Sequence, residues 1–146
     1  MHPRAKVLGV LLDNKRILVE EFYGKHSGGE GTYYRPIGGS IEYGEKSADA
    51  LVREYEEELH VDIIIQQYMG CLENIFWVDE EMGHEIIQLY SVGFKDKADY
   101  KREVFEVIEG DKRAVAKWLS VDDFISKQQM IYPTGIVEQL EKLILK

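Results

Sequence analysis

The stretch GSIEYGEKSADALVREYEEELHV, residues 39–61, joins a glycine-rich loop to an acidic helix. The helix is predicted over residues 47–59, with Ser47 as its N-cap. The stretch holds six glutamates: Glu42, Glu45, Glu54, Glu56, Glu57 and Glu58. At about 100° per residue, Glu54, Glu57 and Glu58 fall on one helix face. Ala48, Leu51, Val52, Tyr55 and Leu59 gather beside them as the core-facing stripe. The acidic face therefore borders the buried one. Two carboxylates ~5 Å apart repel by roughly 3 kcal/mol at an effective dielectric near 20, so something must offset the cluster. Arg53 can pair with Glu57 at i,i+4 spacing, but one guanidinium cannot neutralise the set. A hard divalent cation, Mg²⁺ or Mn²⁺, can, and it keeps waters for substrate phosphates. Gly38 and Gly39 let the backbone approach and aim a carbonyl at the same ion. The plainer alternative is a solvated acidic face.

Outward from this segment the pattern is mostly strands. Residues 5–12 and 16–22 flank the turn Asp13-Asn14-Lys15 as a hairpin. Residues 24–31 (GKHSGGEG) read as a mobile loop, and 32–35 as a short strand ended by Pro36. Beyond the helix, 61–65 and 70–78 are two strands, 79–83 a turn and 84–94 the longest strand. Residues 96–112 are charged and read mostly as loop, with 104–108 ambiguous, and 114–119 are a strand. Ser120-Val121-Asp122-Asp123 matches a capping box opening a short helix. Residues 135–146 close the chain as an amphipathic helix carrying Ile136, Leu140, Leu143 and Ile144. The expected fold class is α+β, a mixed sheet packed between helices.

The chain has 146 residues, 45% hydrophobic and 31% charged, which suits one globular domain. Eighteen Lys and Arg against 27 Asp and Glu leave a net charge of −9. Stable nucleic-acid binding is not expected, because little would neutralise the backbone. Any action on phosphates calls for a metal cation to supply positive charge. The single cysteine, Cys71, excludes an intramolecular disulfide and reads as a buried structural residue. No cleavage-site pattern follows the short apolar run at 7–12, so a signal peptide is not expected, and no run approaches the ~20 residues of a membrane span. The expectation is a cytoplasmic protein with no membrane partner. The four histidines, His2, His26, His60 and His84, show no zinc-ligand spacing.

Gly39, five residues, Glu45, seven residues and then Arg53-Glu54-Tyr55-Glu56-Glu57-Glu58 resembles the Nudix box of the Nudix hydrolases. That pattern is Gly-x5-Glu-x7-Arg-Glu-U-x-Glu-Glu-x-Gly-U, with U a bulky aliphatic residue, and Val61 fits its last position. Tyr55 stands where an aliphatic residue is usual, and His60 replaces the usual glycine after the helix. A left-handed conformation at His60 would cost about 1 kcal/mol.

The resemblance implies an αβα sandwich and a reaction. Water attacks a phosphorus and splits the pyrophosphate bond of a nucleoside diphosphate linked to another group, with Mg²⁺ or Mn²⁺ required. It implies Glu54, Glu57 and Glu58 as metal ligands, joined by the Gly38 carbonyl. Arg53 would orient the carboxylates and Glu45 would brace the loop. Glu54 is the first choice of general base, with Glu85, Glu103, Glu106 and Glu109 as candidates outside the box. Glu85 otherwise reads as a strand-edge charge in water.

Arg35 can pair with a phosphate bidentately. Tyr33, Tyr34, Phe76, Trp77 and Tyr132 can stack a base, or simply pack. Nucleoside triphosphates, ADP-ribose, nucleotide sugars and capped RNA all suit the box as substrates. Two rival readings stand beside the hydrolase. One is a nucleotide-sensing module of the same fold without turnover. The other is a different reaction such as isoprenoid isomerisation, which needs a further acid–base pair. A homodimer, with Cys71 or residues 24–31 at the interface, is a further expectation.

Overall fold

The computed structural model describes residues 1–144. Its strands are β1 (Arg4–Asp13), β2 (Arg16–His26), β3 (Gly29–Ser40), β4 (Ile63–Val78), β5 (Glu81–Phe94), β6 (Val104–Glu109) and β7 (Lys112–Ser120). The helices are α1 (Ser47–Leu59), α2 (Val121–Ile125) and α3 (Ile136–Ile144), with a 3-10 helix at Lys97–Lys101. The strands form one sheet in the order β4-β5-β1-β3-β2-β7-β6. β1 runs parallel to β5 and antiparallel to β3, so the sheet is mixed. α1 covers one face through Leu51, Tyr55 and Leu59, which pack with Val7, Leu11, Leu18, Ile37 and Phe105. α2 and α3 cover the other through Phe124, Ile136 and Leu140, against Leu8, Val10, Ile17 and Leu89. This is the expected α+β arrangement, a mixed sheet between helical layers.

Several boundaries differ from the sequence expectation, each for a packing reason. The glycines of 24–31 do not make a loop. β2 and β3 stay paired out to His26↔Gly29, with Gly24 opposite Gly31. The pair Phe22↔Tyr33 just inside stacks its rings 5.3 Å apart, which favours continuing the ladder. Pro36 does not end β3. It lies where the neighbour of β3 changes from Met130–Tyr132 to β1, whose pairing begins at Ile37. A missing N–H is tolerated at such a junction. The two strands expected at 61–65 and 70–78 are one, β4, bent by irregularities at Ile65/Gln67 and Tyr68/Gly70. The ambiguous residues 104–108 within the charged segment are strand β6, whose buried Phe105 and Val107 alternate with exposed residues.

Cys71 is exposed, not buried, because it lies on the outward side of β4, an edge strand. On α1, Val52 points to solvent and Ala50 and Glu58 are buried, so the core-facing arc is rotated toward the acidic face. Lys46 is the N-cap of α1 and makes no side-chain capping bond. Ser47 lies inside the helix, with its hydroxyl 2.7 Å from that of Tyr90. Ser120 caps α2 as expected, accepting from the Asp122 N–H. Residues 145–146 of the expected closing helix lie outside the described residues. Among the described residues no helix is long and apolar enough to cross a membrane.

Candidate active site

The loop before α1 is pinned to the helix by one side chain. The Arg53 Nε donates to Glu45 Oε2 at 2.8 Å and its Nη2 to Glu45 Oε1 at 3.0 Å, a two-point fork. Nη2 also donates to the Ser40 carbonyl at 3.0 Å. Nη1 reaches Glu54 Oε1 at 3.0 Å and Glu57 Oε2 at 3.1 Å. Glu45 in turn accepts from the Glu42 N–H at 3.1 Å. These bonds hold the Glu45 carboxyl below the usual carboxylate range and push the Arg53 pKa further up. Arg53 thus ties loop, helix and two of the three acidic side chains together.

Gly39 lies under Glu54. A Cβ at residue 39 would meet the Glu54 Cδ at 2.4 Å. At Gly38 the clash would be with backbone, the Val7 carbonyl oxygen at 2.0 Å. Neither glycine is needed for a left-handed backbone; both are needed for space.

Glu58 is the buried member of the set, 5% exposed, and its Oε2 has no hydrogen-bond partner. Burial raises its pKa to about 9, with the nearby charges of Glu20, Glu54, Glu109 and Glu57 adding to the rise. Glu54 is also pushed up by burial, with Arg53 opposing. Glu57 is exposed and gives its carboxylate to Arg53. Among the described residues, no three His, Cys, Asp or Glu side chains already converge as a ligand set. The chemistry of the donors nonetheless fits a hard cation: all are carboxylates, and one buried oxygen lacks any donor.

One further acid emerges that the sequence reading missed. Glu20 on β2 is 8% exposed, and burial followed by Glu109 raises its pKa to about 7, with Arg35 and Lys112 opposing. Its signal was available in the alternation Leu18–Glu20–Phe22, which puts an acid where a core residue belongs. Of the other acids expected outside the box, Glu103 pairs with Arg16 at 3.5 Å and Glu106 pairs with Arg113, both at the surface. Glu109, at the end of β6, is near enough to raise the pKa values of Glu20, Glu54 and Glu58.

Beyond the acids lies a cleft between the β2–β3 and β4–β5 hairpins, lined by Phe22, Tyr33, Phe76 and Tyr132 with Arg35 and Glu85. Glu85 is not a solvated strand-edge charge. It is 1% exposed, because β5 is an interior strand and three donors surround its carboxylate. Its Oε1 accepts from Arg35 Nη2 at 3.2 Å and from Asn74 Nδ2 at 3.3 Å, and Arg4 stands 3.7 Å from Oε2. The Arg35 Nε is buried and unpaired. Lys6 donates to the Ser40 hydroxyl at 2.9 Å, and burial lowers its pKa, with Glu85 and Glu54 opposing. Cations thus stand between the cleft and the acidic helix. Tyr34 does not join them: it is buried on the α2–α3 side against Phe124. Trp77 is exposed on β4. Phe22 and His26, also in the cleft wall, were not singled out from sequence, since their region read as loop or plain strand.

Solved structures share this architecture. A MutT NUDIX hydrolase from Burkholderia pseudomallei is 22% identical, with 97% of this chain and 98% of that one covered at a TM-score of 0.68. A MutT protein from Methanosarcina mazei Go1 is 16% identical, with 99% and 97% covered and a TM-score of 0.67. A NUDIX hydrolase from Nitrosomonas europaea is 19% identical, with 97% and 87% covered and a TM-score of 0.65. No curated protein matches the chain. The family model for the NUDIX domain matches residues 2–139, which takes in both sheet faces, the glycine loop and the whole acidic helix. A match of that extent makes this chain a member of the NUDIX family.

Proposed function

We propose that this protein hydrolyses the pyrophosphate bond of a nucleoside diphosphate linked to another group: a nucleoside triphosphate, ADP-ribose or a nucleotide sugar. The observation that carries the reading is the buried, unpartnered oxygen of Glu58 beside Glu54, on a helix whose loop lacks side chains at Gly38 and Gly39. A buried carboxylate without a donor is costly, and an oxygen-seeking cation removes that cost.

Glu54, Glu57, Glu58 and the Gly38 carbonyl are the groups we assign to hold Mg²⁺ or Mn²⁺. When bound, such an ion polarises phosphoryl oxygens and makes water a better nucleophile. The chain's own residues do the rest. Arg53 keeps Glu54 and Glu57 oriented while Glu45 holds the loop against it. Glu54 is our proton acceptor for the attacking water, since burial raises its pKa above the ordinary carboxylate value. Arg35, in the wall of the cleft and bonded to Glu85, is the cation we assign to a phosphate there. The aromatic walls of the cleft, Phe22, Tyr33 and Phe76, receive the base or sugar.

The test is product release from a nucleotide panel with and without Mg²⁺, each product identified by mass. Turnover that needs the metal supports the reading. Tight nucleotide binding without turnover across the panel overturns it in favour of a sensing module.

A further inference from the structure

Glu20 is a buried acid on a different element from the box. It lies on β2, where Leu18, two residues earlier, belongs to the core beneath α1. Strand alternation puts Glu20 on that same face. Its cross-strand neighbours are Arg35 on β3 and the fully buried Ala116 on β7. Arg35 bonds Glu85 directly, and its charge and that of Lys112 only partly offset the burial of Glu20. Of the charges around Glu58, that of Glu20 acts on it most strongly. Glu20 on the sheet and Glu58 on the helix are thus each buried on the side of the sheet that α1 covers, and the helix acid has an oxygen with no donor.

Such a pair opposes folding unless something positive joins it. An acid kept only for structure would be replaced by an apolar residue like Leu18 without loss. We propose that Glu20 is a further carboxylate of the cation site. It would face a divalent, oxygen-seeking ion of the Mg²⁺ class from the sheet while Glu58 faces it from the helix. This rests on the function proposed above and adds a residue that the box does not contain.

The experiment is a Mn²⁺ titration of the full chain, followed by the paramagnetic resonance signal of the free ion. It compares the parent with Glu20→Gln and Glu20→Leu, alongside melting curves in chelator. Both variants are expected to melt at or above the parent without metal. Their Mn²⁺ affinity is expected to fall about 10- to 100-fold. Affinity equal to the parent's overturns the assignment of Glu20 alone. So does a variant that fails to fold in chelator, which makes the residue structural. A parent that takes up no Mn²⁺ overturns this proposal together with the function on which it rests.

Discussion

The Glu54 carboxylate fills the space where a side chain at Gly39 would begin: a Cβ there would stand 2.4 Å from Cδ and 2.5 Å from Oε1. Gly39→Ala should therefore move the carboxylate rather than the backbone, because the obstacle is the end of a side chain. The expected result is a folded protein, destabilised by about 1–3 kcal/mol, with activity down about 100-fold from a misplaced group. Gly38→Ala meets the Val7 carbonyl at 2.0 Å and the Leu8 Cα at 2.8 Å, both rigid, and should not fold. Circular dichroism separates the two variants, and assay of the first completes the test. A fully active Gly39→Ala protein would remove Glu54 from the reaction.

Glu54→Gln keeps the size of the side chain and removes its basicity. Turnover should fall about 10²- to 10⁴-fold, as for loss of a general base, with the melting temperature little changed. Glu58→Gln should lose Mn²⁺ affinity and activity. It should also melt at or above the parent in chelator, since the amide is neutral when buried without taking up a proton. Two Gln variants that turn over substrate as fast as the parent would place the chemistry elsewhere.

Metal-free stability should fall as pH rises. Glu20 and Glu58 have ordinary carboxylate values of 4.5 when unfolded and about 7 and about 9 when folded. Between those limits the folded state binds more protons, so stability is full below pH 4.5 and drains as pH climbs through 7 toward 9. Melting in chelator should thus be lower at pH 8.5 than at pH 6, a range that avoids general acid unfolding. Excess Mn²⁺ should raise the alkaline melting point by ligand linkage to the native state. Flat melting curves in chelator across that range would show that these acids are not buried together.

The helix and its acids were legible because their signals are local. Glu54, Glu57 and Glu58 share a face by spacing alone, and Arg53 stands four residues from Glu57. What escaped needed partners far along the chain. Glu85 reads as a strand-edge charge until Arg35 and Asn74 are brought to it. Residues 24–31 read as loop because their glycines hide a ladder held by Phe22 and Tyr33. Cys71 reads as buried from its apolar neighbours, but β4 is an edge strand of the sheet. Val52 falls within the arc of apolar residues yet is exposed, whereas Glu58, at the opposite edge of that arc, is buried. An acid occupying a core position is what a sequence pattern built on hydrophobicity is bound to misplace.

His60 closes α1 in a left-handed conformation, φ 56° and ψ 42°, with its N–H donating to the Glu56 carbonyl at 3.0 Å. The backbone there is the one that glycine adopts freely, and any Cβ strains it. His60→Gly should keep that capping bond and relieve the strain, raising stability by about 1 kcal/mol. For a chain of this length that is a gain of roughly 3 °C in melting temperature. The imidazole is exposed and touches none of the groups assigned to the reaction, so turnover should not change. A lower melting point in His60→Gly would mean that the ring itself stabilises the helix end by more than the strain costs, as a cation near the C-terminal carbonyls can.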